Sequence, residues 1–161
     1  SRSGLTRCRP ERLELQRNGP IPPARLSRAI PAMPNDSLTV RIFLIAGAGA
    51  LGALARWGTN SAVHAVFGRH EPWNWATIAV NLAGCFLFGV MCIYLHPKSV
   101  TALTVLTGFL GAYTTFSAFA FDTHVLVLDR GMLAATLNVA IHVGGGLVAL
   151  VAGMALGRTL L

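Results

Sequence analysis

Charged side chains are scarce in this chain. Asp, Glu, Lys and Arg make up 12% of its 161 residues, against about 25% in soluble globular domains. Hydrophobic residues reach 53%, which favours a membrane protein over a soluble enzyme. Cysteine is also rare. Cys85 and Cys92 lie on one predicted helix about 10 Å apart, so they cannot form a disulfide with each other.

The basic excess is unevenly distributed along the chain. The formal net charge is +7, but residues 1–32 alone carry seven Arg and two Glu. This Arg- and Pro-rich segment has no apolar period that would offset the entropy of ordering it. We therefore predict that residues 1–39 form a disordered tail, with Met33 a candidate natural start. Because the charge belongs mainly to this tail, it does not predict a nucleic-acid partner.

Long charge-free intervals define four candidate membrane spans. A spanning helix needs about 20 apolar residues, and the intervals predict helices at 40–66, 75–95, 100–128 and 132–157. Short polar loops separate them, and Trp73 and Trp75 beside the first loop suit a membrane interface. The prediction is an all-α fold, with one four-helix transmembrane domain over residues 40–161.

The stretch GAGALG at residues 47–52 matches the dinucleotide-binding pattern G-x-G-x-x-G. That pattern must follow a strand and be followed, about 20 residues on, by an acidic residue that ends a second strand. Glu71 has the right spacing but lies in a polar turn. Since small residues let membrane helices approach closely, we instead predict a helix-packing face made of Gly47, Gly49, Gly52 and Ala53.

Several polar residues interrupt the apolar spans. An Arg near a helix centre costs about 2.5 to 3.5 kcal/mol on insertion scales, so Arg56 either faces a partner or cavity or extends to the interface. Thr77 and Asn81 share one face of the second span, where Asn81 is either a pathway residue or an interhelical bond. Asn138 and His142 repeat this spacing in the fourth span, and His142 is either a packing residue or part of a pathway.

The segment TGFLGAYTTFSAFAFD predicts a broken third helix. Its two glycines, Gly108 and Gly111, and two successive threonines interrupt the helix at about mid-depth, where the freed backbone needs partners inside protein or water. Channels and transporters hold ions at such breaks. Phe116 and Phe119 are either an aromatic packing stripe or, through their positive ring edges, a contact for a small anion.

The polar inventory favours an anion over a cation. The spans offer guanidinium, amide and hydroxyl donors, and a small anion in low dielectric needs several donors at once. The main rival function is a small dual-topology multidrug or cation exporter. Such an exporter needs a membrane-embedded Glu in its first helix, where this chain has Arg56, while Asp122 and Asp129 lie near the end of the third span. A purely structural scaffold would leave the broken helix unexplained.

From about residue 40 to 157 the chain resembles the Fluc-type (CrcB-like) fluoride channels. The resemblance lies in GALGALARW, NWATIAVNLAGCFLFG and above all TGFLGAYTTFSAF. It implies a bacterial cell-membrane protein that is not an enzyme and forms an antiparallel, dual-topology homodimer with two fluoride pathways. It also implies passive fluoride export and fluoride resistance. A pair of oppositely oriented sister chains is the alternative assembly.

The resemblance also assigns residues. It implies that the backbone carbonyls of Gly111 and Thr114 hold a central structural Na⁺, two from each subunit. Its fluoride pathway comprises Arg56, Thr77, Asn81, Thr115, Phe116, Ser117 and Phe119. The chain departs from the family at Asn138 and His142, where a Tyr and a Ser are usual, and at Asp122, where Glu is common. If His142 lines the pathway, fluoride conduction is expected to depend on pH.

Charge placement permits insertion in both orientations. Four spans put Arg41, Lys98 and Arg158 on one side of the membrane, against Arg69 and Arg130 on the other. Because Lys and Arg bias sets orientation, this near balance is compatible with dual topology. The basic tail would tip the balance, so dual topology fits best with a start at Met33.

Overall fold

The described residues of this computed structural model are 38–68 and 73–161, and they form helices and no strand. This confirms the all-helical prediction for the part of the chain that the structure describes. The predicted disorder of residues 1–39 and the start at Met33 lie outside the described residues, except that positions 38 and 39 already belong to the first helix.

Four apolar helical spans follow one another along the chain. They are α1 (Leu38–Phe67), α2 (Trp75–Tyr94), a third span Val100–Arg130 made of α3 (residues 100–113) and α4 (Phe116–Arg130), and α5 (Met132–Thr159). Each span is long and apolar enough to cross a bilayer. All agree with the predicted spans to within a few residues at each end, and the protein is a multi-pass membrane protein.

Local side chains set where the helices begin. The Asn74 side chain accepts a hydrogen bond from the Thr77 N–H at the start of α2, and the Ser99 hydroxyl accepts one from the Ala102 N–H at the start of α3. Such caps satisfy backbone donors that have no partner within the helix. Gly131 separates α4 from α5 at φ +82°, a backbone conformation that glycine adopts without strain.

Glycines allow the helices to approach closely. A Cβ at Gly52 would collide with the carbonyl oxygen of Phe109 on α3, and a Cβ at Gly153 on α5 would collide with that of Phe86 on α2. Gly52 therefore belongs to a helix-packing face on α1, as the sequence predicted. A Cβ at Gly47 would meet nothing within 4 Å in the single chain, so Gly47 does not pack against another described helix of the same chain.

The other two residues of the predicted packing face, Gly49 and Ala53, differ in whether they contact α3. A Cβ at Gly49 would lie 3.8 Å from the Gly108 carbonyl oxygen of α3, so this position also belongs to the contact. Ala53 is exposed in the single chain and takes no part in this contact with α3. Residues 47–52 lie inside α1 rather than in a strand-to-helix turn, so the G-x-G-x-x-G match is coincidental.

Two segments have π-helical rather than α-helical hydrogen bonding. One is Leu103–Leu110 within α3, and the other is Ile141–Gly145 within α5. Such segments are rare and are often found at functional sites. The second one contains His142.

Candidate anion-binding site at the break in the third span

The third span is interrupted at two threonines. Thr114 (φ −78°, ψ 159°) and Thr115 (φ −146°, ψ 111°) are both extended. The sequence predicted an interruption in this segment, but Gly108 and Gly111 remain helical. Gly108 is needed for packing instead, since a Cβ there would lie 3.0 Å from the Ala48 Cβ of α1.

Asn81 of α2 holds the broken backbone. Its Oδ1 accepts a hydrogen bond from the Thr115 N–H at 2.8 Å, and its Nδ2 donates to the Thr115 carbonyl at 3.1 Å. This pair of bonds gives partners to backbone groups that have left the helix, as a membrane interior requires. Because an amide nitrogen carries two hydrogens, one N–H of Asn81 remains for a ligand.

Hydroxyl groups cluster where α4 begins. The Thr115 Oγ1 accepts from the Ala118 N–H at 3.2 Å and lies 3.3 Å from the Ser117 Oγ. The N-terminus of a helix carries partial positive charge and favours anions. The two hydroxyls therefore lie at an end of α4 that suits a negative ligand.

Arg56 of α1 also contacts the break. Its Nη1 donates to the Thr114 carbonyl at 3.4 Å, and the side chain is partly buried. The guanidinium therefore has a partner inside the protein, as one of the two sequence interpretations expected. Together, Arg56 and Asn81 cover both carbonyl oxygens of the extended dipeptide.

An open groove lies beside the break. Its volume is about 260 Å³, and it is lined by Asn81, Cys85, Thr114, Thr115, Phe116, Phe119, His142 and Val143. The rings of Phe116 and Phe119 have centroids 5.4 Å apart in an edge-on arrangement at 61°. Within the described residues, no carboxylate lines this groove.

The groove brings together many, but not all, of the residues named from the sequence. Ser117 is near it through the Thr115 hydroxyl, and Arg56 contacts the Thr114 carbonyl. Thr77 is buried, with 3% exposure, and does not line the groove. Gly111 instead lines a second cavity of about 290 Å³, which Thr114 shares.

His142 was left open between packing and pathway, and the structure places it in the groove. Its ring centroid lies 4.6 Å from that of Phe119. Its Nδ1 is 3.0 Å from the Asn138 carbonyl oxygen, while its Nε2 is buried and finds no hydrogen-bond partner in residues 38–68 and 73–161. The Asn138 side chain turns elsewhere: it is 2% exposed and donates to the Thr123 Oγ1 at 2.8 Å.

Two groove residues were missed from the sequence. Cys85 was considered in the sequence only for a disulfide with Cys92, although it is four residues after Asn81 and so shares its helix face. It lines both cavities. Val143 simply follows His142 along α5, and its apolar side chain gave no signal.

The backbone at the break offers oxygen ligands for a cation. In a regular helix the Gly111 carbonyl would accept from the Thr115 N–H, but that N–H bonds Asn81 instead. Carbonyls at the C-terminal end of a broken helix, like unwound carbonyls, coordinate Na⁺ in membrane proteins. The Gly111 carbonyl fits this use, whereas the Thr114 carbonyl also accepts from Arg56. Among residues 38–68 and 73–161, no cluster of His, Cys, Asp or Glu offers a metal site.

Four apolar spans with a donor-lined groove at a broken helix define a small membrane protein of the channel or transporter class. The sequence matches the family described as CrcB-like protein, Camphor Resistance (CrcB), over residues 43–154. The chain belongs to this family, which confirms the resemblance seen in the sequence.

Relatives named "Fluoride-specific ion channel FluC" match most of the chain. The protein of Solidesulfovibrio magneticus is 41% identical over 122 residues, which are 73% of this chain and 96% of the relative. That of Citrifermentans bemidjiense is 37% identical over 126 residues, covering 74% of this chain and 98% of the relative. That of Rhizobium johnstonii is 35% identical over 126 residues, covering 75% and 98%.

Proposed function

We propose that this protein is a fluoride-selective ion channel that lets cytoplasmic fluoride leave the cell passively and so confers fluoride resistance. The relatives named above support this function. The observation that carries it is the groove beside Asn81, where donors and aromatic ring edges meet and no carboxylate from the described residues takes part.

Fluoride must shed its water to pass, and moving a bare ion into low dielectric costs tens of kcal/mol on Born estimates. In this groove the free N–H of Asn81 and the hydroxyls of Thr115 and Ser117 replace part of the hydration shell. The edges of Phe116 and Phe119 add the positive pole of each ring. Several weak donors acting together let the ion bind and still leave.

Arg56 and Asn81 have a second role in this account. An exposed carbonyl oxygen would repel an anion at the break. The Thr114 carbonyl accepts from Arg56 and the Thr115 carbonyl accepts from Asn81. These bonds turn an acceptor-rich stretch of backbone into one that a fluoride ion can approach. Thr77 lies on the same helix face as Asn81 and, being buried, supports the position of α2.

The functional unit that we propose is an antiparallel homodimer with two pathways. Phe116 is 79% exposed in the single chain, and Gly111 and Ser117 are also exposed. A pathway residue open to lipid could not hold fluoride, so a second chain is needed to close the groove. A two-fold axis would form two equivalent pathways. An oppositely oriented sister chain would serve the same purpose.

A structural Na⁺ at the dimer centre completes the proposal. The carbonyls of Gly111 and Thr114, two from each subunit, would hold it, with the Thr114 oxygen using the lone pair that does not accept from Arg56. When bound, the ion supplies a fixed positive charge between the two pathways. The loss of the helical donor to the Gly111 carbonyl supports this site.

A small multidrug or cation exporter is not favoured. Proton-coupled cation export needs a titratable acid within the membrane. Helix α1 has no Asp or Glu and carries Arg41 and Arg56 instead. The proposed function also involves no enzymatic reaction.

Fluoride efflux from liposomes tests the proposal. Vesicles loaded with potassium fluoride and reconstituted with the protein are treated with a potassium ionophore, and external fluoride is followed with an ion-selective electrode. A channel releases fluoride at once, and the same vesicles loaded with chloride keep their contents. Fluoride release no faster than from protein-free vesicles would contradict the proposal.

A further inference from the structure

The position of the His142 ring proton follows from its contact with Asn138. The Nδ1 lies 3.0 Å from the Asn138 backbone carbonyl oxygen. A carbonyl oxygen only accepts hydrogen bonds, so the bond exists only when Nδ1 carries the hydrogen. In the neutral ring, Nε2 must then present a lone pair.

That lone pair has no hydrogen-bond partner among the described residues. The Nε2 atom is buried without a hydrogen bond, and the side chain lines the groove together with Asn81 and Phe119. A lone pair repels an anion, whereas a second proton turns Nε2 into a charged N–H donor. Charged donors form the stronger class of hydrogen bonds. The two protonation states of one side chain therefore have opposite effects on an anion in the groove.

We propose that His142 is an additional fluoride-binding residue whose Nε2 binds the ion only when the ring is doubly protonated, so that acid activates the channel. The inference rests on the proposed function. Histidine is the side chain whose charge ordinarily changes between about pH 5 and 8. Fluoride flux is therefore expected to rise as the pH falls through this range.

The surroundings of His142 are compatible with a charged ring. The Phe119 ring lies 4.6 Å away, within the distance at which an aromatic ring stabilises a cation. From α2, Cys85 is the titratable group in the groove. From α4, Asp122 is nearest in sequence to Phe119. Its Oδ1 accepts from the Asn74 amide, and its Oδ2 is buried with no hydrogen-bond partner in the described part of the chain. From α1, Arg56 contacts the Thr114 carbonyl.

The test compares initial fluoride efflux at about pH 5.5 and about pH 8, the two ends of the histidine range. The pH is equal on both sides of the membrane, fluoride is low enough for flux to be proportional to it, and the leak of protein-free vesicles is subtracted. The wild type is expected to conduct about tenfold faster in acid, equivalent to about 1.4 kcal/mol.

Variants assign the effect to one residue. His142→Gln removes the titration and is expected to give equal flux at both pH values, and His142→Asn is a second variant if the first fails to assemble. His124→Gln is the matched control, since His124 is exposed on α4 and should keep the wild-type ratio. Asp122→Asn should also keep it, because the Asn oxygen can still accept from Asn74.

The outcomes separate this inference from the proposed function. Strong fluoride flux that is equal at both pH values overturns the role of His142 and leaves the channel intact. A pH dependence that survives in His142→Gln, or disappears in Asp122→Asn, overturns the role as well. An absence of flux at every pH contradicts the proposed function, and this inference with it.

Discussion

Replacing Asn81 by alanine is predicted to weaken both the fold and the fluoride pathway. The substitution removes the bonds to the Thr115 N–H and carbonyl, at 2.8 and 3.1 Å. Leaving a buried backbone group without a partner costs about 1 to 3 kcal/mol. Two backbone groups lose their partner, and water in the groove can replace part of the lost hydrogen bonding. We therefore expect the free energy of unfolding to fall by about 2 to 4 kcal/mol.

The effect on fluoride flux should be larger than a general loss of stability would cause. Without Asn81 the Thr115 carbonyl becomes an open acceptor in the groove, and a donor to fluoride is lost. A change of 1.4 kcal/mol in a barrier alters a rate tenfold, so flux should fall by about ten- to a hundredfold. Efflux from liposomes measures flux, and thermal unfolding in detergent measures stability.

Asn138→Ala is the matched control for this prediction. It removes one buried amide that bonds Thr123 but does not line the groove, so it should lower stability while fluoride flux per folded protein stays near that of the wild type. The reasoning would be refuted if Asn81→Ala conducted like the wild type. It would also be refuted if both variants lost flux in proportion to their stability.

Three further predictions concern the ring pair, the helix packing and the cation. Phe116→Ile and Phe119→Ile should each suppress fluoride flux while the dimer persists. The control Phe121→Ile changes an exposed ring on the same helix and should conduct normally. Normal conduction by the first two variants would exclude the ring edges from the pathway. Gly52→Ala should lower thermal stability by about 1 to 3 kcal/mol through overpacking against α3. The control Gly58→Ala adds a methyl that meets nothing within 4 Å and should not lower stability. Equal melting temperatures for the Gly52→Ala and Gly58→Ala variants would argue against the close contact between α1 and α3. Replacing Na⁺ by a large organic cation should lower both flux and the melting temperature of the dimer, because a bound ligand stabilises the state that binds it; a melting temperature independent of Na⁺ would remove the cation from the account.

The spans could be predicted because a bilayer leaves few alternatives. In lipid every backbone polar group needs an internal partner, so a long apolar segment must be helical. The distances between charged residues were therefore enough to locate four helices to within a few residues. The family could be recognised because its most specific motif, TGFLGAYTTFSAF, contains the residues at which the third span leaves the helix.

The exact place of the break could not be predicted. Glycines in TGFLGAYTT suit either an unwound turn or a close helix contact, and the sequence gives the same signal for both. Gly108 serves the contact, and the extended conformation falls on Thr114 and Thr115 because Asn81 of another helix bonds Thr115. Such a bond depends on how α2 and α4 pack together, which single-helix patterns do not contain.

The set of residues that line the groove could not be predicted either, because it also depends on how the helices pack. Thr77 and Asn81 share a helix face by spacing, yet one is buried and the other lines the groove. Cys85 and His142 meet there only because α5 packs against α2. The roles of these residues in fluoride passage stay predictions.

A planar bilayer recording tests the central claim most directly. The protein is placed between solutions with opposing tenfold gradients of fluoride and chloride, and the voltage at which current reverses is measured. A pathway that carries fluoride alone should reverse about 59 mV from zero, with the sign set by the fluoride gradient. A reversal near zero, or one with the sign of the chloride gradient, would contradict fluoride selectivity.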